Sequence, residues 1–179
     1  GMNVGERILA SLFSATTART AGFNSVDTGS LTSASKVLTC ALMFIGGSPG
    51  STAGGIKTTT IFILVVSLWS GITDRHKTAI FKRRFEDDAI KKASIVFTLN
   101  MFLAVSALFT ILAITDLPLS DVMFEVFSAM GTVGMTTGIT RDLSSAARII
   151  IMVLMFCGRV GSLSFALTFL QGKKDPPVY

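Results

Sequence analysis

Apolar residues are collected into long runs along this chain instead of alternating with polar ones, a pattern typical of membrane helices. Two runs, 35–45 and 61–72, flank a polar, glycine-rich segment. A third run, 93–115, carries no charge, and a fourth, 147–170, carries Arg159 near its centre. The last two runs are long enough to cross a hydrocarbon core of about 30 Å. The pattern therefore predicts an all-α membrane protein.

Two shorter amphipathic stretches, 5–17 and 119–131, are each too short to cross a bilayer. They are predicted to be re-entrant half-helices. The loop 74–92 is rich in lysine and arginine, whereas the connection between the third run and the second half-helix has neither. The positive-inside rule places the basic loop and the tail 173–179 in the cytoplasm. Both half-helices then enter from the outer face.

Composition agrees with a membrane location. Hydrophobic residues make up 50% of the chain and charged residues 15%, against about 25% charged residues in typical soluble domains. The formal net charge is +5, but the basic residues concentrate in one loop and are not interleaved with aromatic ones as in a nucleic-acid groove. We therefore expect no nucleic-acid partner. Cys40 and Cys157 each lie within an apolar run and are predicted to be packing residues.

The glycine-rich segment, GGSPGSTAGGIKTTT at 46–60, shares some features with a phosphate-binding loop. That motif places a glycine directly before its lysine, whereas Ile56 separates Gly55 from Lys57. The preceding run is long and lacks alternation, so it does not predict the strand that the motif requires. A nucleotide-hydrolysing enzyme is therefore disfavoured. A deformable intramembrane plug and a glycine-rich packing kink remain as interpretations.

A short motif occurs twice, each time between a half-helix and a long apolar helix. Both copies read Thr-small-Gly-large-polar, and both are followed by an aspartate and a turn rich in serine and threonine. Glycine permits the backbone angles by which successive carbonyl oxygens face one axis, where they replace the hydration shell of a cation. The motif predicts ion-binding residues in two filter loops: Thr20, Ala21, Gly22 and Phe23, and Thr132, Val133, Gly134 and Met135.

Charged residues flank both loops. Arg19 and Arg141 are predicted to brace the loops through acidic residues such as Asp27 and Asp142, because direct contact between a cation and an arginine is repulsive. The two aspartates have a second interpretation, in which they concentrate cations at the mouth of a pore.

Four stretches together resemble the C-terminal half of the Trk/Ktr/HKT potassium transporter family, most closely its bacterial Ktr/Trk pore-forming subunits. They are SATTARTAGFNSVD, MFIGGSPGSTAGGIKTTT, TVGMTTGIT and GRVGSLS. The resemblance implies helix–pore-loop–helix repeats, with part of a third repeat and a complete fourth. The implied divisions are a third-repeat half-helix, filter loop and broken inner helix at 1–73, the basic cytoplasmic loop at 74–92, the fourth repeat at 93–172, and a cytoplasmic tail at 173–179.

The resemblance also implies a gate, because the inner helix of the family's third repeat is broken into an intramembrane loop below the filter. The implied gate residues are Gly46, Gly47, Ser48, Pro49, Gly50, Ser51, Thr52, Ala53, Gly54, Gly55, Lys57 and Arg159. Arg159 is expected to form a positive barrier near this loop, and a structural partner for loop carbonyls is its second interpretation. Lys57 has a second interpretation as a side chain that snorkels to the inner face.

The resemblance implies K⁺ as the ion at the filter carbonyls, Na⁺ as a candidate coupling or activating ion, and no organic cofactor. It further implies a multi-pass protein of the plasma membrane, embedded in the lipid bilayer, that works as a homodimer with a cytosolic nucleotide-binding regulatory ring and with N-terminal repeats missing from this sequence. Two alternatives stay open: a fragment that assembles with partner subunits without transporting, and a secondary transporter whose broken helix binds an organic solute.

Overall fold

Helices account for nearly all of the regular structure in the part of the chain that is described. The computed structural model describes residues 3–24, 27–48, 50, 53–73, 79–80, 83–84 and 87–161. The helices are α1 (Val4–Thr17), α2 (Ser33–Phe44), α3 (Thr58–Ile72), α4 (Asp87–Ile114), α5 (Leu119–Met130) and α6 (Ser145–Val160). The predicted all-α class is confirmed at this level. A small departure lies in the basic loop, where the two-residue strands β1 (Ala79–Ile80) and β2 (Arg83–Arg84) pair antiparallel.

Helix starts follow from polar residues placed just before the apolar runs. Asn3 and Glu6 form a reciprocal capping box at the start of α1, with Glu6 accepting from the Asn3 backbone at 2.8 Å. The hydroxyl groups of Thr32 and Ser144 accept from backbone N–H groups in the first turns of α2 and α6, both at 3.3 Å. Pro118 precedes α5, as expected for a residue with a fixed φ at a helix start.

Two helix boundaries differ from the sequence prediction. Helix α4 begins at Asp87, inside the predicted loop 74–92, because acidic residues and good helix formers favour the first turns of a helix. Helix α6 ends at Val160, where Gly161 takes a φ of 85°, so Arg159 lies in the last turn and not near the centre of a longer helix. The remainder of the predicted run, 162–170, lies outside the described residues.

Within the described residues, α4 is the helix that is long and apolar enough to cross a membrane, with a mean hydropathy of 2.3 over an 18-residue stretch inside Asp88–Ile114. Helices α2 and α3 are apolar but shorter. They are separate helices because the chain leaves helical geometry after Phe44 and resumes it at Thr58.

Helix α5 lies at the centre of the fold. It packs against α2, α4 and α6, and α3 packs along α4. The ring of Phe44 on α2 meets Phe97 of α4 and Phe127 of α5 edge to face, with centroids 5.9 and 5.5 Å apart. Helix α1 precedes the first loop as α5 precedes the second, yet most of its residues are exposed.

Candidate functional site

The two predicted filter loops, the first loop (residues 20–23) and the second loop (residues 132–135), have the same unusual backbone. Thr20 and Thr132 take positive φ values of 68° and 54°, and Gly22 and Gly134 take 73° and 86°. Within the described residues, these are the two non-glycine positions at positive φ. A β-branched residue in this region is an outlier that costs on the order of 1–3 kcal/mol and persists where surrounding structure enforces it.

The alternation of backbone conformation has a direct consequence for the carbonyl groups. In an extended strand successive carbonyls point to opposite sides. Alternating positive and negative φ turns every second peptide group over, so successive carbonyls face the same side. Within the described part of the chain, the carbonyl oxygens at positions 20–22 and 132–134 accept no hydrogen bond. They form two rows of unpaired acceptors.

A hydroxyl group from the preceding helix holds the far end of each loop. The hydroxyl of Thr17 donates to the Phe23 carbonyl at 2.8 Å and accepts from the Phe23 N–H at 2.7 Å. In the second loop the hydroxyl of Ser128 donates to the Met135 carbonyl at 2.6 Å. Sequence analysis missed both residues, although a Ser or Thr near the end of each half-helix was a signal for them.

The two loops lie against each other. A Cβ atom on Gly22 would collide with the backbone carbonyl oxygen of Val133, so this carbonyl is directed at the first loop. Just beyond the loops, the hydroxyl of Thr28 donates to the carbonyl of Thr136. The described residues hold no group of three or more His, Cys, Asp or Glu side chains suited to a metal. The oxygen atoms that the two loops themselves offer are backbone carbonyls and threonine hydroxyls.

The two ends of the glycine-rich segment 46–57 are held together by backbone hydrogen bonds. Ile45 and Ile56 form a parallel bridge, in which Gly46 N–H donates to the Ile56 carbonyl at 2.8 Å and Ile56 N–H donates to the Phe44 carbonyl at 3.2 Å. Ile56 is fully buried. Three of the predicted gate residues, Pro49, Ser51 and Thr52, lie outside the described residues.

This segment reaches the second loop directly. The backbone N–H of Gly54 donates to the side-chain oxygen of Thr132 at 2.9 Å. A Cβ atom on Gly54 would lie 2.6 Å from the Thr132 methyl carbon, so glycine is required for this approach. Gly131, just before the second loop, packs against the Met43 carbonyl and faces Gly55. The structure thus joins the glycine-rich segment to a predicted filter residue.

The predicted charged gate residues lie at helix ends. Lys57 is the half-buried residue that precedes α3, and Arg159 is exposed in the last turn of α6. Next to Arg159, Gly158 packs against the backbone of Met130, which brings α6 close to the end of α5. The segment ahead of Lys57 is helix α2 and not a strand, so it does not have the strand–loop–helix context of a phosphate-binding loop.

The predicted bracing of the loops by arginine–aspartate pairs is wrong for the described residues. There, the ion pair that forms joins Lys36 of α2 to Asp121 of α5 at 2.7 Å, with both side chains largely buried. Asp27 instead accepts from the backbone of Gly29, and the Arg141 carbonyl accepts from the Arg148 guanidinium. An aspartate close in sequence to its own turn is satisfied locally, which competes with a longer-range pair.

Glu125 is a further residue that sequence analysis missed. It lies on α5, is 6% exposed, and accepts hydrogen bonds from the hydroxyls of Thr136 and Thr140 behind the second loop. A lone glutamate inside an otherwise apolar stretch was the available signal, because an acidic residue is rarely buried unless its oxygens are satisfied.

Comparison with known proteins agrees with this arrangement. A family model described as TrkH, cation transport protein, matches residues 1–175. The Ktr system potassium uptake protein B of Bacillus subtilis is 40% identical over 174 residues, which are 97% of this chain and 39% of that protein. The potassium/sodium uptake protein NtpJ of Enterococcus hirae is 37% identical over 169 residues, which are 92% of this chain and 38% of that protein.

The fold is also shared with a solved structure. The potassium transporter TrkH from Vibrio parahaemolyticus matches with a TM-score of 0.72 at 21% identity, over 90% of this chain and 36% of that one. The chain therefore spans less than two fifths of the length of these curated relatives. Because the family model covers both loops and the segment between them, the resemblance inferred from sequence is confirmed: the chain belongs to the TrkH family of cation transport proteins.

Proposed function

We propose that this chain is the pore-forming part of a potassium uptake transporter and that its two filter loops conduct the ion. The observation that carries the proposal is the paired positive φ of Thr20 and Thr132, each followed two residues later by a glycine at positive φ. Strain of this kind at matching positions of two repeats is expected where successive carbonyls must face one axis.

The proposed ligands are the carbonyl oxygens of positions 20–22 and 132–134. The carbonyls of Phe23 and Met135 already accept hydroxyl hydrogen bonds, so their role is to anchor the outer ends of the loops. K⁺ is the proposed ion, since the relatives are potassium uptake proteins, and Na⁺ is the second ion because NtpJ is named a potassium/sodium uptake protein. Backbone carbonyl oxygens can replace the hydration shell of such monovalent cations.

The glycine-rich segment 46–57 is the proposed gate, and we call it the gate loop. Its Gly54 N–H bonds to Thr132, so the loop lies directly against one end of the filter. Its bridge at Ile45 and Ile56 fixes the two ends while the glycines between them lower the cost of other conformations. Arg159, in the last turn of α6, is the proposed positive barrier to cations.

The proposed setting is the plasma membrane, with the basic loop 74–92 and the C-terminal tail on the cytoplasmic side. Exposed apolar side chains on α3, α4 and α6 suit contact with lipid or with the remaining repeats of a longer protein. A homodimer with a cytosolic nucleotide-binding ring is the proposed assembly, in line with a relative named as part of a Ktr system. Co-purification of the complete transporter with such a ring tests it.

The proposed filter is tested by the substitutions Gly22→Ser and Gly134→Ser in the complete transporter. Both glycines have positive φ, and a side chain on Gly22 also collides with the Val133 carbonyl, whereas the space around Gly134 is open. We expect both variants to lower the uptake of K⁺ relative to Na⁺, and Gly22→Ser to lower it more. The measurement is the ratio of K⁺ to Na⁺ uptake in proteoliposomes.

Gly71→Ser is the matched control, because Gly71 lies near the end of α3 with open space around it and outside both loops. Its uptake ratio is expected to equal that of the parent. If Gly22→Ser and Gly134→Ser reach the membrane and keep the parent ratio as well, the proposed filter is wrong.

A further inference from the structure

Behind the second filter loop, a buried carboxylate holds the chain that leaves the filter. Glu125 lies on α5, one turn before Ser128, and is 6% exposed. One of its oxygens, Oε1, accepts from Thr140 Oγ1 at 2.8 Å and also from Thr136 Oγ1. In the described part of the chain the carboxylate has no basic partner, and Oε1 is satisfied by hydroxyl groups instead.

Three oxygen atoms, Glu125 Oε1 and the two threonine hydroxyl oxygens, lie within hydrogen-bond distance of one another. Each threonine has a single hydroxyl hydrogen to donate, so two hydrogens link the three oxygens. The two hydroxyl oxygens lie 2.8 Å apart, and the cluster is closed on Glu125. The lone pairs of Thr136 remain available, and its hydroxyl oxygen accepts from the Gly138 N–H at 2.9 Å. The carboxylate thus gathers the whole turn 136–140 onto α5.

The same turn is bonded to the segment that follows the first loop. The Thr136 carbonyl accepts from the hydroxyl of Thr28, which follows the first filter loop. Ser128, on the same side of α5 as Glu125, holds the Met135 carbonyl at 2.6 Å. The consecutive carbonyls of Met135 and Thr136 are therefore both held by hydroxyl groups. The position of the Thr136 carbonyl also depends on Glu125, which binds the Thr136 side chain.

We propose that Glu125 is a positioning residue that sets ion preference by holding the outer end of the second filter loop open to the size of K⁺. This rests on the proposed filter function. A carbonyl ring that is free to contract can close around the smaller Na⁺, whereas a ring anchored from behind resists contraction. Helix α1, which precedes the first loop as α5 precedes the second, has no carboxylate at the position that corresponds to Glu125. Residues 13 and 14 are Phe and Ser, so the proposed anchor belongs to the second loop.

Two substitutions at Glu125 in the complete transporter show whether ion preference depends on its hydrogen-bond acceptor or on its negative charge. Glu125→Gln keeps an acceptor oxygen at the same length of side chain and is expected to retain the parent ratio of K⁺ to Na⁺ uptake. Glu125→Ala removes the acceptor and is expected to lower this ratio by on the order of tenfold, which corresponds to 1.4 kcal/mol and lies within the loss of two hydrogen bonds. Affinities for each ion are measured separately in proteoliposomes.

Thr140 supplies a second route to the same test if Glu125→Ala does not reach the membrane. Thr140→Val removes one donor and is expected to lower the ratio, while Thr140→Ser keeps the hydroxyl and is expected to restore it. Adding Thr140→Val to Glu125→Ala should lower the ratio no further than Glu125→Ala alone, because both act through one hydrogen-bond network. Asp116→Asn is the charge control, since this carboxylate is exposed and lies outside both loops and outside the turn 136–140.

The outcomes distinguish this proposal from the proposed function. If Gly134→Ser changes the ion ratio but Glu125→Ala or Thr140→Val does not, the anchor is wrong and the filter stands. If Glu125→Gln loses the preference as fully as Glu125→Ala, or Asp116→Asn matches them, the negative charge and not the anchoring oxygen is responsible. If neither Gly134→Ser nor Glu125→Ala has an effect, the filter itself is wrong.

Discussion

Threonine at the start of each filter loop combines strain with a useful side chain. The left-handed backbone disfavours a β-branched residue, and glycine would adopt it without that cost. Thr132 differs from glycine in offering a hydroxyl, and the structure uses it as the acceptor for the Gly54 N–H. Thr20 has the same backbone but, in the described part of the chain, no contact with the gate loop. Comparison of the two threonines therefore tests the proposed role in the filter separately from the proposed role in gating.

Replacement of Thr132 by valine should release the gate loop. The variant loses the acceptor for Gly54 while keeping the shape and branching of the side chain. A lost hydrogen bond of about 1 kcal/mol corresponds to about a fivefold shift towards the open gate. We expect K⁺ flux in the absence of the regulatory subunit to rise by about this factor in the complete transporter.

Thr20→Val is the control for Thr132→Val, and Thr132→Ser keeps the acceptor. Neither is expected to raise flux in the absence of the regulator. Equal increases in Thr20→Val and Thr132→Val would mean that filter damage, and not release of the gate loop, raises the flux.

At the level of elements, the interruption between α2 and α3 is the feature that organises the site. The gate loop, closed by the bridge between Ile45 and Ile56, separates α2 from α3. This arrangement places backbone N–H groups of the gate loop at the C-terminal end of α5, where Gly55 approaches Gly131. Irregular backbone of this kind inside a membrane is tolerated where it is buried in protein or lines a wet cavity. The gate loop fits both conditions in part, since Gly54 is buried and Ser48 is exposed.

Deletion within 48–54 should raise flux through the complete transporter and make it less dependent on the regulatory subunit. The deleted part includes the N–H that bonds to Thr132 but spares the bridge that closes the base of the loop. Arg159→Ala should act in the same direction because it removes a positive charge from the inner helix. Flux from reconstituted protein is the measurement, and a deletion variant that folds and conducts no faster than the parent would leave the segment as a packing kink.

Sequence patterns predicted these elements well because they are local. Apolar runs placed the helices, the cluster of glycines placed the interruption, and the repeated Thr-x-Gly placed the two strained loops. The contact of Gly54 with Thr132 joins residues 78 positions apart, and no local pattern contains it. The end of α6 was also missed, because a glycine near the end of an apolar run is compatible with continuing the helix or with leaving it at positive φ.

On the scale of the whole molecule, the chain provides two neighbouring faces of the proposed pore. The first and second loops touch through Gly22 and the Val133 carbonyl, and the Thr28 hydroxyl ties their outer ends together. Relatives of more than twice this length share the fold or the sequence, and we propose that other parts of the complete transporter supply the remaining carbonyls of the pore. The position of the ion relative to these two loops is therefore measured in the complete transporter.

The most direct measurement is the position of Rb⁺, a substitute for K⁺, located by anomalous X-ray scattering in crystals of the complete transporter. We expect a peak on the axis that the carbonyls of positions 20–22 and 132–134 face, with the gate loop below it. The peak should weaken or disappear in crystals of Gly22→Ser. Rb⁺ bound elsewhere in the pore, with no peak between these two rows of carbonyls, would contradict the central claim.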